Sequence, residues 1–174
     1  MARKLPNEHL LRIAKASAKE INQIRLGVHV YAPSGLDIDT LLSNASRDRF
    51  RLAQQTLAEA RWAVGAEKAC YRLALARAYY SMYHAARAAV FFVEQGDDHE
   101  AHTELPKHIP KDFPDRNIWE NAIKTARLER NRADYDPYPI TDRAFAKAAK
   151  CTLKNAEDFL PLTKRYLVRR GCKL

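Results

Sequence analysis

The stretch from Glu67 to Glu94 constrains this chain most. It is dense in alanine and apolar at nearly every helical position, and between Cys70 and Glu94 its charged or imidazole-bearing side chains are confined to Arg72, Arg77, His84 and Arg87. A helix that is apolar on almost all sides is stable only when other elements cover it. The stretch is therefore expected to be a central, mostly buried helix.

The rest of the chain reads as helices able to cover it. From about Ser46, Phe50, Ala53, Leu57, Ala60 and Val64 recur at spacings of three and four before Gly65, a natural stop. Asp115 is an N-cap candidate for a helix carrying Ile118, Ala122, Ile123 and Ala126 to about Ala133, where Pro137 and Pro139 end it. A last helix is expected from Thr141 as N-cap through Phe145, Ala148, Thr152, Phe159 and Tyr166, kinked at Pro161. Its basic end, Lys164 to Lys173, complements the helix macrodipole.

At the other end, Asn7 can cap a helix with Leu10, Ala14, Ser17, Ile21 and Ile24 on one stripe, ending near Gly27. Val28 to Asp39 then reads as a loop, with a short strand-like run (VHVY) and a turn at Pro33-Ser34-Gly35. The segment from Gly96 to Pro114 holds three histidines and three prolines and reads as a long surface connection. With only five glycines in 174 residues, the class is all-α. One helical domain, 46–174, preceded by an extension, 1–45, is the expected organisation.

Thirty Lys plus Arg against twenty-one Asp plus Glu give a formal charge of +9, as in proteins that approach RNA, DNA or an acidic partner, although many basic proteins bind none. Cys70, Cys151 and Cys172 are odd in number and lack metal-ligand spacing, so a reducing cytoplasm without disulfides is expected. No run of about twenty apolar residues and no signal-peptide core is seen, which predicts no membrane span. P-loop, G-x-G-x-x-G, H-E-x-x-H and G-x-S-x-G signatures are all missing, so no cofactor is expected.

Three groupings carry chemistry. At 100° per residue, Arg77, Tyr80, His84 and Arg87 share one face of the central helix, either as a satisfied interhelical contact or as the lining of a basic cleft. Arg130 falls on the apolar side of its helix and needs an anion, either the carboxylate of Asp134 four residues on or a ligand's phosphate. Asp97, Asp98, His99, Glu100 and His102 match no known metal cage and read as a hydrated acidic loop; no metal is expected.

The order AYYSMYHAARAAVFF (Ala78 to Phe92), a histidine-containing loop, RNRADYD (Arg130 to Asp136) and AEDFL (Ala156 to Leu160) resembles the HEPN superfamily, and within it the small prokaryotic group catalogued as UPF0332. The resemblance covers about residues 47 to 168 and leaves out the first 45 or so. It implies an antiparallel bundle of about four to five helices that dimerises with its arginine motif facing a cleft between subunits. It also implies a toxin–antitoxin or defence setting, with a nucleotidyltransferase partner in many relatives and metal-independent ribonuclease activity in others.

The ribonuclease relatives place a histidine after the motif arginine, with four to six residues between. Here those positions hold Tyr135, Asp136 and Pro137 counted from Arg130, or Pro137, Tyr138 and Pro139 counted from Arg132. A phenol is a poor base near neutrality, so the resemblance favours a binding module over a catalyst. Arg130, Asn131, Arg132, Asp134, Arg77 and Arg87 are its candidate binding residues, for RNA, a nucleotide or a partner protein. The rival is an endoribonuclease using Arg130 with Tyr135 or His84 as catalytic candidates. A third alternative is an interaction module in which the motif only staples helices together.

Overall fold

The computed structural model describes residues 14, 17–96 and 99–174, with Val30 and Tyr31 seen in backbone alone. The Asn7 cap, Leu10 and the Asp97-Asp98 pair lie outside the described residues. The chain divides into two compact units, Met1–Leu41 and Leu42–Leu174. All regular structure among the described residues is helical.

In the first unit, helix α1 spans Ala18–Ser34. Ser17 and Glu20 start it as a reciprocal capping box: the Ser17 N–H donates to Glu20 Oε2 at 2.8 Å and the Glu20 N–H to Ser17 Oγ at 3.3 Å. The helix continues through Gly27, Val28 and Tyr31, so neither the expected stop at Gly27 nor the strand-like run is realised. An interior glycine costs only about 1 kcal/mol relative to alanine, and four consecutive residues cannot form a strand without a partner. The stop comes at Gly35, whose φ of 64° is left-handed.

Helix α2, Ile38–Gly65, begins well before Ser46. Asp37 caps it, accepting from the Thr40 N–H at 2.7 Å, whereas Ser46 is fully buried inside the helix. Helix α3 is Tyr71–Glu94, four residues shorter at its start than the apolar run predicts. Its first N–H groups, at Tyr71 and Arg72, donate to Asp142 Oδ2 at 2.6 Å and Oδ1 at 2.9 Å, so its cap comes from a residue 70 positions away.

A 3₁₀ turn, Leu105–His108, interrupts the following connection. Helix α4 spans Arg116–Tyr135, two residues beyond Ala133. Asp115 stands at its N-cap with a φ of 54°, but its carbonyl rather than its side chain meets the first turn. Thr141 precedes a second 3₁₀ turn, Asp142–Phe145, and helix α5 starts only at Ala146, running to Arg169 with Pro161 inside it.

In the second unit the four helices alternate in direction. Arg49 of α2 lies over Phe91 near the end of α3, Arg72 near the start of α3 reaches Ala133 at the end of α4, and Trp119 of α4 packs on Phe159 of α5. Helix α3 is the centre of this bundle and contacts both α4 and α5. Ala74, Leu75, Ala78, Tyr79, Met82, Ala85, Ala86, Ala88, Ala89 and Val90 are all buried on it. Small side chains let neighbours come close: Ser81 Oγ donates to the Ala53 carbonyl of α2 at 2.8 Å. Among the described residues no helix is long and apolar enough to cross a membrane.

Candidate functional site

The end of α4 is anchored before it presents anything. Arg72, packed 4.2 Å over the Phe145 ring, donates to the carbonyls of Ala133, of Asp136 at 2.9 Å and of Pro139 at 2.8 Å. One guanidinium thus satisfies carbonyls left open at the helix end and ties down the chain after it. This geometry fixes the Arg130–Tyr138 segment against the start of α3.

One turn inside that end, Arg130 is only 15% exposed and leans onto α3. It donates from Nη2 to Tyr80 Oη and from Nη1 to Asn131 Oδ1 at 3.0 Å. Its Nε lies 2.8 Å from Asp134 Oδ2, an ion pair whose angle misses that of a hydrogen bond. The guanidinium carbon sits 5.0 Å from the Tyr80 ring centre and 5.6 Å from that of the exposed Tyr135. Each of its three nitrogens thus has an oxygen partner within the protein.

Tyr80 carries the arrangement inward. Its ring stacks on His84 at 6.0 Å and 23°, and meets His102 edge-on at 6.0 Å. His102 comes from the long connection, stacked on Tyr83 at 4.3 Å, with Nδ1 2.6 Å from Tyr79 Oη. Tyr83 also donates to the Glu100 carbonyl, fixing the loop that delivers His102. Arg87 closes the cluster, 5.5 Å over Tyr83, with Glu100 Oε2 3.9 Å away.

Both imidazoles are held neutral at pH 7. Burial first, then the charges of Arg87 and His102, lower the pKa of His84 to about 4. Burial, followed by Arg130, Arg127 and Arg87, lowers that of His102. Burial also raises Tyr79 well above the ordinary phenol range, so its hydroxyl stays protonated beside His102 Nδ1. Arg127, one turn before Arg130, has a buried Nε without a hydrogen-bond partner. A neutral histidine pair beside Arg130, which Asp134 pairs, and Arg127, whose Nε has no partner, suits an anionic ligand.

The structure thus brings together Arg130, Asn131, Asp134, Tyr135, His84 and Arg87 of the candidates, and two of them stand apart. Arg77 is exposed and pairs with Glu59 of α2 at 3.3 Å. Arg132 faces the opposite side, 5.8 Å from the Phe145 ring, and lines a groove with Ala148 and Cys151 of α5. Arg127, Tyr79, Tyr83 and His102 enter without having been singled out as site residues. Arg127 was within reach, three residues before Arg130 and so on its helical face; His102 was not, because no periodicity reports where a loop folds back.

A bundle of alternating helices with a half-buried arginine at the end of its third helix defines a helical domain whose polar centre lies between neighbouring helices. A model of the HEPN domain matches residues 46–166, more than half of the chain, which belongs to that family. Comparison with curated proteins and with solved structures found no match.

Proposed function

We propose that this chain is an RNA-binding HEPN module in which Arg130 and Arg127 contact the phosphate backbone. The observation that carries the reading is the guanidinium pair beside two neutral imidazoles, with the Arg127 Nε buried and unpartnered. Phosphate oxygens are the ligand such donors fit best, and the formal charge of +9 favours their approach. A toxin–antitoxin or defence role, a nucleotidyltransferase partner, a homodimer and membership of the UPF0332 group belong to this proposal as what the resemblance implies; a cytoplasmic setting belongs to it from the cysteine usage, and an appended role for residues 1–45 from where the resemblance stops.

A second reading is metal-independent cleavage of RNA, and the position of His102 favours it. Although no histidine follows Arg130 at the family spacing, one returns to its neighbourhood from the loop after α3. A neutral imidazole can take the proton of a 2′-hydroxyl while an arginine stabilises the charge developing on phosphorus. His84, stacked behind Tyr80, would support the ring cluster rather than meet the substrate.

Incubating total RNA and a labelled single strand with the protein separates the two. The binding reading expects retention of the labelled strand without cleavage, and weaker retention for Arg130→Ala. Cleavage by the wild type that is lost in both Arg130→Ala and His102→Ala would establish the second reading instead.

A further inference from the structure

At the far end of α3 from its capped start, Glu94, His99 and His108 converge. Glu94 is the last residue of the helix and His108 closes the 3₁₀ turn of the connection. Their ligand atoms all lie within 4.8 Å of one another: His99 Nε2 is 2.6 Å from Glu94 Oε2 and His108 Nδ1 is 3.5 Å from Oε1. The two imidazole rings stack at 3.4 Å and 15°, so both present a nitrogen to the same carboxylate.

We infer that this trio is a zinc site distinct from the arginine cluster. Zn²⁺ bound at roughly 2.0–2.1 Å by two imidazoles and a carboxylate holds its ligand atoms about 3.3–3.5 Å apart, so the His99–Glu94 pair at 2.6 Å must open, the His108–Glu94 pair at 3.5 Å already fits, and the widest separation, within 4.8 Å, must close by up to about 1.5 Å. Two nitrogens and one carboxylate select a borderline ion such as zinc over Mg²⁺ or Ca²⁺, which require several oxygens. The side chains are 35%, 22% and 37% exposed for Glu94, His99 and His108, open enough to admit the ion and leave its fourth position to water.

The ion would pin the end of α3 to the 3₁₀ turn and close the segment between them. That segment contains Glu100 and His102, the residues held by Tyr83 and Tyr79. Zinc therefore has a structural task, fixing the loop that carries His102, and requires no part in any reaction. Its recognition by sequence spacing fails because the ligands lie five and nine residues apart and one of them ends a helix.

Isothermal titration of the full, tag-free, chelator-treated chain with ZnCl₂ tests this, with a thermal melt on the same samples. One equivalent of Zn²⁺ is expected, with a raised melting temperature and no comparable response to MgCl₂. His108→Ala and Glu94→Gln should each weaken binding at least tenfold, and Cys151→Ser, which removes an exposed thiol, should leave it unchanged. Far-UV circular dichroism of each variant keeps loss of the site apart from loss of the fold, and His108→Gln replaces any alanine variant that does not fold. No zinc binding by the wild type, binding that survives both ligand substitutions in folded protein, or binding abolished by Cys151→Ser would overturn the assignment.

Discussion

Tyr80 receives a hydrogen bond from Arg130 and lays its ring along His84, so one phenol ties α4 to the polar face of α3. Tyr80→Phe removes the acceptor but keeps the ring; a charge-assisted bond of this kind contributes about 1.5–3 kcal/mol at most, so a loss of about 1–2 kcal/mol is expected in urea unfolding. Arg130→Ala should cost more, because it removes the bonds to Tyr80 and Asn131, the pairing with Asp134 and the packing of a largely covered side chain together. The histidines set a pH dependence. In the unfolded chain an imidazole binds its proton near pH 6.5, whereas folded His84 does so only near about 4 and folded His102 is displaced in the same direction. Between those values the unfolded state holds more protons, so stability is full near pH 7, declines as pH falls toward 4 and levels below it. Unfolding free energies from urea at pH 7.5 and 5.0 should differ, by about 1–2 kcal/mol once solvent screening of the partly exposed ring is included, and His84→Gln should shrink the difference. At this scale the sequence showed much: Arg130 and Asp134 are four apart, and Tyr80 and His84 share a helical face. It could not place His102, because a loop residue's neighbours are set by tertiary contacts such as Tyr83 to Glu100.

Helix ends show the same division between local and distant causes. The capping box of Ser17 and Glu20 and the cap at Asp37 are written within three residues of the groups they satisfy, yet the apolar stripe from Leu10 to Ile24, with Gly27 as its stop, pointed to other boundaries. The start of α3 could not be read locally, because Asp142 supplies its cap. Asp142→Ala leaves two N–H groups of that helix without their acceptor and should lower stability by about 1–2 kcal/mol, measured by urea unfolding, with little change in the circular dichroism of the folded state. Arg72→Ala should release the end of α4 and the chain to Pro139, seen as faster amide exchange there than in α3. Exchange rates left unchanged along residues 133–140 would mean that other contacts hold this segment.

For the whole molecule, the apolar helix that dominates the sequence is also the element around which the second unit is built. Its near-continuous alanine and aromatic content needed no long-range information to read as buried, and its partners were legible from their stripes. What periodicity left open was which polar residues would meet once the helices packed, and that determines function. A chain lacking residues 1–34 retains Asp37 and all of α2, so it is expected to melt cooperatively if residues 1–45 are an appended segment. The central claim is that Arg127 and Arg130 bind RNA phosphates. It is tested most directly by fluorescence anisotropy of a labelled single-stranded RNA across a series of salt concentrations. Binding that weakens linearly in log–log form is expected, with Arg127→Ala and Arg130→Ala each reducing the slope by up to about 1 and lowering affinity at every salt concentration. Identical slopes and affinities for the wild type and both folded variants would contradict it.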